Sequence, residues 1–313
     1  MCVIDLNAFP VNVILKDLLQ DKTTKGNIIF ATDTYTVNGE PIDPKTEITV
    51  DLLREMGDMP IQPRCAKSRQ EQADRTRKNA EVFTPVWICN KMNNYCDEEW
   101  FGRKDVFNTE DGQSWITSEG NISFPDGIKW EKYIDSTRME ITCGEAPFLV
   151  SRYDAADGTE IDLHDRIGIL DRKMRIINEN TDTEEEWLKW TYRAFQSVYG
   201  YEYQGDNLLI ARINLLLSFV DYMRERLNRE PTKSELRKIT NIICWNIWQM
   251  DGLSGSVPMK TRDAVVRQAS IFNLMGFNTS GFNTSETVTQ EPIPCRIYDW
   301  RGNESITYNS IKE

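Results

Sequence analysis

Apolar residues recur at helical spacing from Val11 to Gln20, which predicts a helix, and the run Asn27-Ile-Ile-Phe-Ala31 behind it predicts a short buried strand. Further along, Arg138-Met-Glu-Ile-Thr142 has the pattern of a strand running into Cys143-Gly144. Residues 146–153 then read as a helix that tolerates Pro147 in its first turn. Tyr199-Gly-Tyr-Glu-Tyr203 is a second strand candidate. Thr183 and Thr232 each precede a glutamate by three positions, the spacing of a capping box, and predict helices over 187–198 and from 232 towards Trp245. Between them, Asp206 to Arg229 is apolar on one side and basic at its end, as a long helix and its macrodipole prefer. The apolar stretch Ile242 to Met250 fits either a helix end or a buried strand.

The remaining segments are turn-rich. Asp97 to Asp135, with isolated Trp100, Trp115 and Trp130, predicts an irregular or β-rich insertion. The tandem Gly276-Phe-Asn-Thr-Ser280 and Gly281-Phe-Asn-Thr-Ser285 is too short for a solenoid and predicts an exposed loop. Cys295 to Trp300 and Glu304 to Tyr308 predict a hairpin around Arg301-Gly-Asn303. Strands alternating with helices argue for an α/β fold, a doubly wound sheet behind an N-terminal helical and irregular extension. The divisions expected are an extension over 1–78, a central domain with a long insertion over 79–260, and a loop and β-hairpin over 261–313.

Composition narrows the chemistry. Forty-nine Asp and Glu against thirty-seven Lys and Arg give a net charge of −12 over 313 residues, so any grip on a polyanion must be local. The strong positive cluster is Arg64, Lys67, Arg69, Arg75, Arg77 and Lys78, either a solvated face or a contact for duplex DNA. A single histidine, His164, disfavours an imidazole-rich zinc site and a Ser-His-Asp triad. Seven scattered cysteines without a Cys-x-x-Cys pair suggest neither a disulfide framework nor a zinc knuckle. Together with the lack of a signal peptide or an eighteen-residue apolar run, they lead us to expect a cytoplasmic protein without membrane contact. Cys143 reads as a packed small hydrophobe and Trp187, Trp190, Trp245 and Trp248 as core.

A strand ending at Glu140 and turning at Gly144, beside a second strand ending at Glu202, is the layout of a nucleoside site. The turn offers backbone N–H groups, and an acid at the next strand tip can accept from both ribose hydroxyls. Three segments in order, Glu81-Val-Phe-Thr-Pro85, Glu140-Ile-Thr-Cys-Gly-Glu-Ala-Pro-Phe148 and Gly200-Tyr-Glu-Tyr-Gln-Gly-Asp-Asn-Leu-Leu-Ile-Ala-Arg212, resemble the adenine-specific DNA methyltransferases, the M subunits of restriction-modification systems. Asn246-Ile-Trp-Gln-Met-Asp251 is similar to that family's next segment. The resemblance covers about residues 75–255 and implies a Rossmann-like fold that binds S-adenosyl-L-methionine. Phe83, Thr84 and Pro85 would hold its amino-acid part, Glu140, Cys143 and Gly144 would wrap it, Glu202 would take the ribose, and Asp251 would meet its adenine. It also implies duplex DNA, bound weakly by this chain alone, and a restriction or specificity subunit as partners.

Two positions depart from the family. Ala146 and Pro147 stand where Gly and Asn are usual, so a Cβ is expected to hold the backbone off the cofactor. The catalytic Asn/Asp/Ser-Pro-Pro-Tyr/Phe segment has no counterpart, since no two of the twelve prolines are adjacent. Asp299 and Trp300 are the nearest substitute, a carboxylate beside an aromatic. The alternative to a methyltransferase is therefore a non-catalytic binding protein on the same fold, and a third reading is an unrelated Rossmann-like enzyme for another nucleotide.

Overall fold

In the computed structural model, which describes residues 4–57, 60–267 and 286–311, the segments ending at Glu140 and Glu202 are adjacent parallel strands. The helices are α1 (Val11–Leu18), α2 (Val50–Glu55), α3 (Arg69–Asn79), α4 (Val86–Phe101), α5 (Glu131–Asp135), α6 (Ile169–Asn180), α7 (Glu184–Gln196), α8 (Gly205–Leu227) and α9 (Lys233–Asn246). The strands are β1 (Thr36–Val37), β2 (Glu40–Pro41), β3 (Asn108–Asp111), β4 (Ser114–Thr117), β5 (Arg138–Glu140), β6 (Val198–Glu202), β7 (Ile247–Gln249), β8 (Ser256–Arg267), β9 (Glu286–Pro294), β10 (Arg296–Asp299) and β11 (Glu304–Thr307). The protein is mixed α/β. Its central sheet is parallel, in the order β5-β6-β7, with Glu140 opposite Gly200 and Glu202 opposite Gln249. The other strands form antiparallel pairs, including the C-terminal hairpin β10–β11.

Local chemistry explains the helices that were legible. Thr183 Oγ1 accepts from Glu186 N and starts α7 at Glu184, and the Thr232–Glu235 capping box opens α9. The ambiguous run 242–250 is both things in turn, since α9 ends at Asn246 and β7 starts at Ile247. The helix expected over 146–153 is absent. The carbonyls of Phe148 and Leu149 accept instead from Ile169 N at 2.8 Å and Leu170 N at 2.9 Å, so one turn forms and the chain cannot propagate it. The insertion holds the β3–β4 hairpin, and the tandem 276–285 lies outside the described residues. The β8–β9 pair had no signal in our reading, and β8 crosses the boundary expected at 260.

The N-terminal residues are not an appendage. Ile14, Leu18, Leu19, Ile28 and Phe30 share one apolar cluster with α6, α7, α8 and α9. Arg212, fully buried on α8, donates to the carbonyls of Leu18 (2.6 Å), Gln20 (3.0 Å), Cys244 (3.4 Å) and Ile247 (2.8 Å), tying the ends of α1 and α9 together. Within the expected strand Asn27–Ala31, Ile28, Ile29 and Phe30 are buried, but the segment is no strand of the sheet and Ala31 leaves the extended conformation. The Gln249 side chain joins it to β7, accepting from Ile29 N at 2.9 Å and donating to Ile29 O at 2.8 Å.

Gly205 N donates to Phe30 O, and a Cβ at Gly205 would stand 1.9 Å from Ile29 O. Gly205→Ala should therefore push the N-terminal segment off α8 and cost about 2 kcal/mol, read as a lower urea midpoint at unchanged m. Among the described residues no helix is long and apolar enough to cross a membrane.

Candidate functional site

The carboxyl ends of β5 and β6 open into a cavity of about 640 Å³. Six of the residues expected to hold a cofactor line it: Phe83, Thr84, Glu140, Cys143, Gly144 and Glu202. The turn between them is pinned to the neighbouring strand. Cys143 N donates to Tyr201 O at 2.8 Å, and Gly144 N donates to Glu202 Oε2 at 2.9 Å. Glu202 Oε1 accepts from Gln204 N at 3.1 Å, so this carboxylate, 7% exposed, already fixes two loops before any ligand arrives. Each oxygen keeps a further lone pair for a hydroxyl donor. Burial raises the Glu202 pKa.

Glu140 is different. It is 9% exposed, its Oε1 accepts a long 3.5 Å bond from Phe148 N, and its Oε2 is buried without a partner among the described residues. Burial, ahead of its backbone hydrogen bonds and the nearby Glu202 charge, holds its pKa well above the usual carboxylate range. An orphaned acid in a cavity is a receptor for a cation or a hydrogen-bond donor.

Phe83 forms a wall, its ring edge 3.4 Å from where a Cβ at Gly144 would stand. The Arg64 guanidinium lies over that ring, 5.4 Å from its centroid. Cys143 is the packed hydrophobe expected, with its thiol pushed up by burial. Ala146 corrects our reading of the turn. It takes the left-handed conformation a glycine would supply (φ 64°), but it is buried in the main core and does not line the cavity, so its Cβ does not hold the backbone away from a ligand.

Left-handed non-glycine residues gather here. Ala31 (φ 52°), Ala80 (φ 51°) and Thr142 (φ 49°) all line the cavity. For β-branched Thr142, which is solvent-exposed, this is strain, and such strain concentrates where a ligand must be met. Thr142→Gly is expected to raise stability by up to about 1 kcal/mol, seen as a higher melting temperature.

Two expected cofactor residues lie elsewhere. Pro85 starts α4 and does not line the cavity. Asp251 does not line it either; its Oδ1 accepts from Leu253 N at 2.9 Å, and it organises its own turn. Asp299 and Trp300 are at the wrong end of the sheet. Asp299 caps the 299–302 turn, Trp300 Nε1 donates to Asn246 Oδ1 at 2.7 Å just before β7, and Tyr298 O accepts from Tyr199 at the start of β6. His164 sits on the surface beside Glu225.

The basic segment divides. Arg75, 2% exposed, donates to Glu81, Thr34 and Gln204 and lies 2.8 Å from Asp206. Arg64 pairs with Glu81 at 3.3 Å, and Lys67 lies 3.7 Å from Asp206. These three cations therefore face inward and are not offered to a polyanion, which corrects the expectation that all six would be. Arg69, Arg77 and Lys78 remain exposed, and Arg77 and Lys78 line the cavity. The partners that draw the others in, Glu81 and Asp206, lie up to about 140 positions away in the chain, so no local signal could separate the two sets.

Comparison with protein-family models, curated proteins and solved structures finds no match to this chain. Among the described residues no group of three or more His, Cys, Asp or Glu side chains could hold a metal ion.

Proposed function

We propose that this chain is an S-adenosylmethionine-binding subunit of the DNA adenine methyltransferase type, on a doubly wound, Rossmann-like sheet. One observation carries the reading: an orphaned, buried acid, Glu140, and a second acid, Glu202, stand at adjacent parallel strand tips in one cavity walled by Phe83. The ligand class that suits them brings a cation for the first acid and vicinal hydroxyls for the second. S-adenosylmethionine has both, and the motif resemblance supports the same choice. Bound there, the cofactor would supply an electrophilic methyl group on a sulfonium. The chain's own residues fix the turn, exclude water and hold the amino-acid and ribose parts. None of the lining residues forms the Pro-Pro clamp that would orient an adenine amine.

Methyl transfer is therefore proposed to need a partner subunit, with DNA reached through the exposed Arg69, Arg77 and Lys78. Calorimetric titration with S-adenosylmethionine should give a one-to-one isotherm, and a flat trace at high protein concentration would remove the reading. Incubation of the chain alone with labelled cofactor and unmethylated duplex should transfer less than about one methyl per minute, a barrier above about 20 kcal/mol. Faster transfer would show a complete catalytic site.

A further inference from the structure

Resting on the cofactor reading above, we infer that Asn207 binds the ligand in the same cavity, accepting one of its N–H or O–H donors, and that Glu81 fixes it in that role. Asn207 lies in the first turn of α8, is 1% exposed and lines the cavity. Its Nδ2 donates to Glu81 Oε2 at 3.2 Å, and its Oδ1 is buried with no partner among the described residues. A carboxamide can turn over, but the Glu81 carboxylate, paired with Arg64 and Arg75, offers only acceptors. The amide must face it with its NH2 group, which leaves the carbonyl oxygen directed away from Glu81 and unsatisfied. A buried acceptor without a donor costs stability, and a ligand that brings the donor recovers it.

Among the described residues, Glu140 Oε2 and Asn207 Oδ1 are the two side-chain polar atoms of the cavity lining that are buried without a partner, and both are acceptors. The ligand they fit is rich in donors. Through Glu81, the inward cations Arg64 and Arg75 become positioning residues of this site.

The test titrates the full chain and its Asn207→Ala variant with S-adenosylmethionine and, separately, with adenosine. Asn207→Ala should weaken S-adenosylmethionine about tenfold, the size of one hydrogen bond, with the ligand-free melting temperature within a few degrees of the parent. A loss shared by adenosine places the donor on the nucleoside. A loss confined to S-adenosylmethionine places it on the amino-acid part. Equal affinities in parent and variant would overturn the inference while the parent's isotherm still upheld the cofactor reading; no isotherm for the parent would remove both. Should the variant fail to fold, the 13Cγ resonance of Asn207 in the parent serves instead. It should move on saturation with S-adenosylmethionine, and an unmoved resonance refutes the assignment.

Discussion

Glu140→Gln is expected to weaken S-adenosylmethionine about a hundredfold and to raise the melting temperature of the ligand-free protein. The two effects share one cause. An unpartnered carboxylate oxygen costs stability at neutral pH and gains a partner when a cationic ligand arrives, worth about 3 kcal/mol. Glutamine keeps the acceptor for Phe148 N and loses the charge. The pH dependence follows from the direction of the shift. Because the folded-state pKa is raised, the folded protein binds the proton more tightly than the unfolded chain, so this group's contribution to stability is greatest below its unfolded pKa and is lost as pH rises through the folded one. Glu145, pushed up to about 7 by burial, acts in the same direction between about pH 4.5 and 7. Melting curves from pH 5 to 8 should therefore fall for the parent and fall less steeply for Glu140→Gln. A parallel slope would mean that Glu140 does not titrate there.

Arg75→Met should destabilise the protein by about 3 kcal/mol, because Glu81 and Asp206, both buried, lose their shared cation and keep only Arg64 and Lys67. Urea unfolding measures the loss. Adding Glu81→Gln and Asp206→Asn to Arg75→Met should recover only part of it, since Arg64 and Lys67, which also face these acids, then lose their partners in turn. A surface cation, whether it kept the face solvated or met DNA, would change the unfolding midpoint little, so this measurement separates a buried ion pair from both roles first considered for the basic segment.

Much of the scaffold could be read along the chain because its causes are local. The caps at Thr183 and Thr232 and the apolar stripe of α8 act within a few residues, and both acid-tipped strands announced themselves in the same way. What failed was decided across the fold. The helix expected over 146–153 lost its acceptors to Ile169 and Leu170, about twenty residues on. A charge run cannot say which of its cations will turn inward when the acids that claim them belong to α8 and to the stretch before α4. Asn207 was invisible for the same reason, since its role depends on an orphaned oxygen that exists only once Glu81 has taken the other half of the amide.

The Gln249 amide has a bearing on aggregation. Three short parallel strands would leave β7 as an exposed border, a template on which a second chain could add its own strand. The side chain of Gln249 occupies both the donor and the acceptor of Ile29 and keeps that extended segment against the border, while Cys295 Sγ covers the Gln249 carbonyl at 3.4 Å. A single amide thus does the work of a fourth strand at the β7 border.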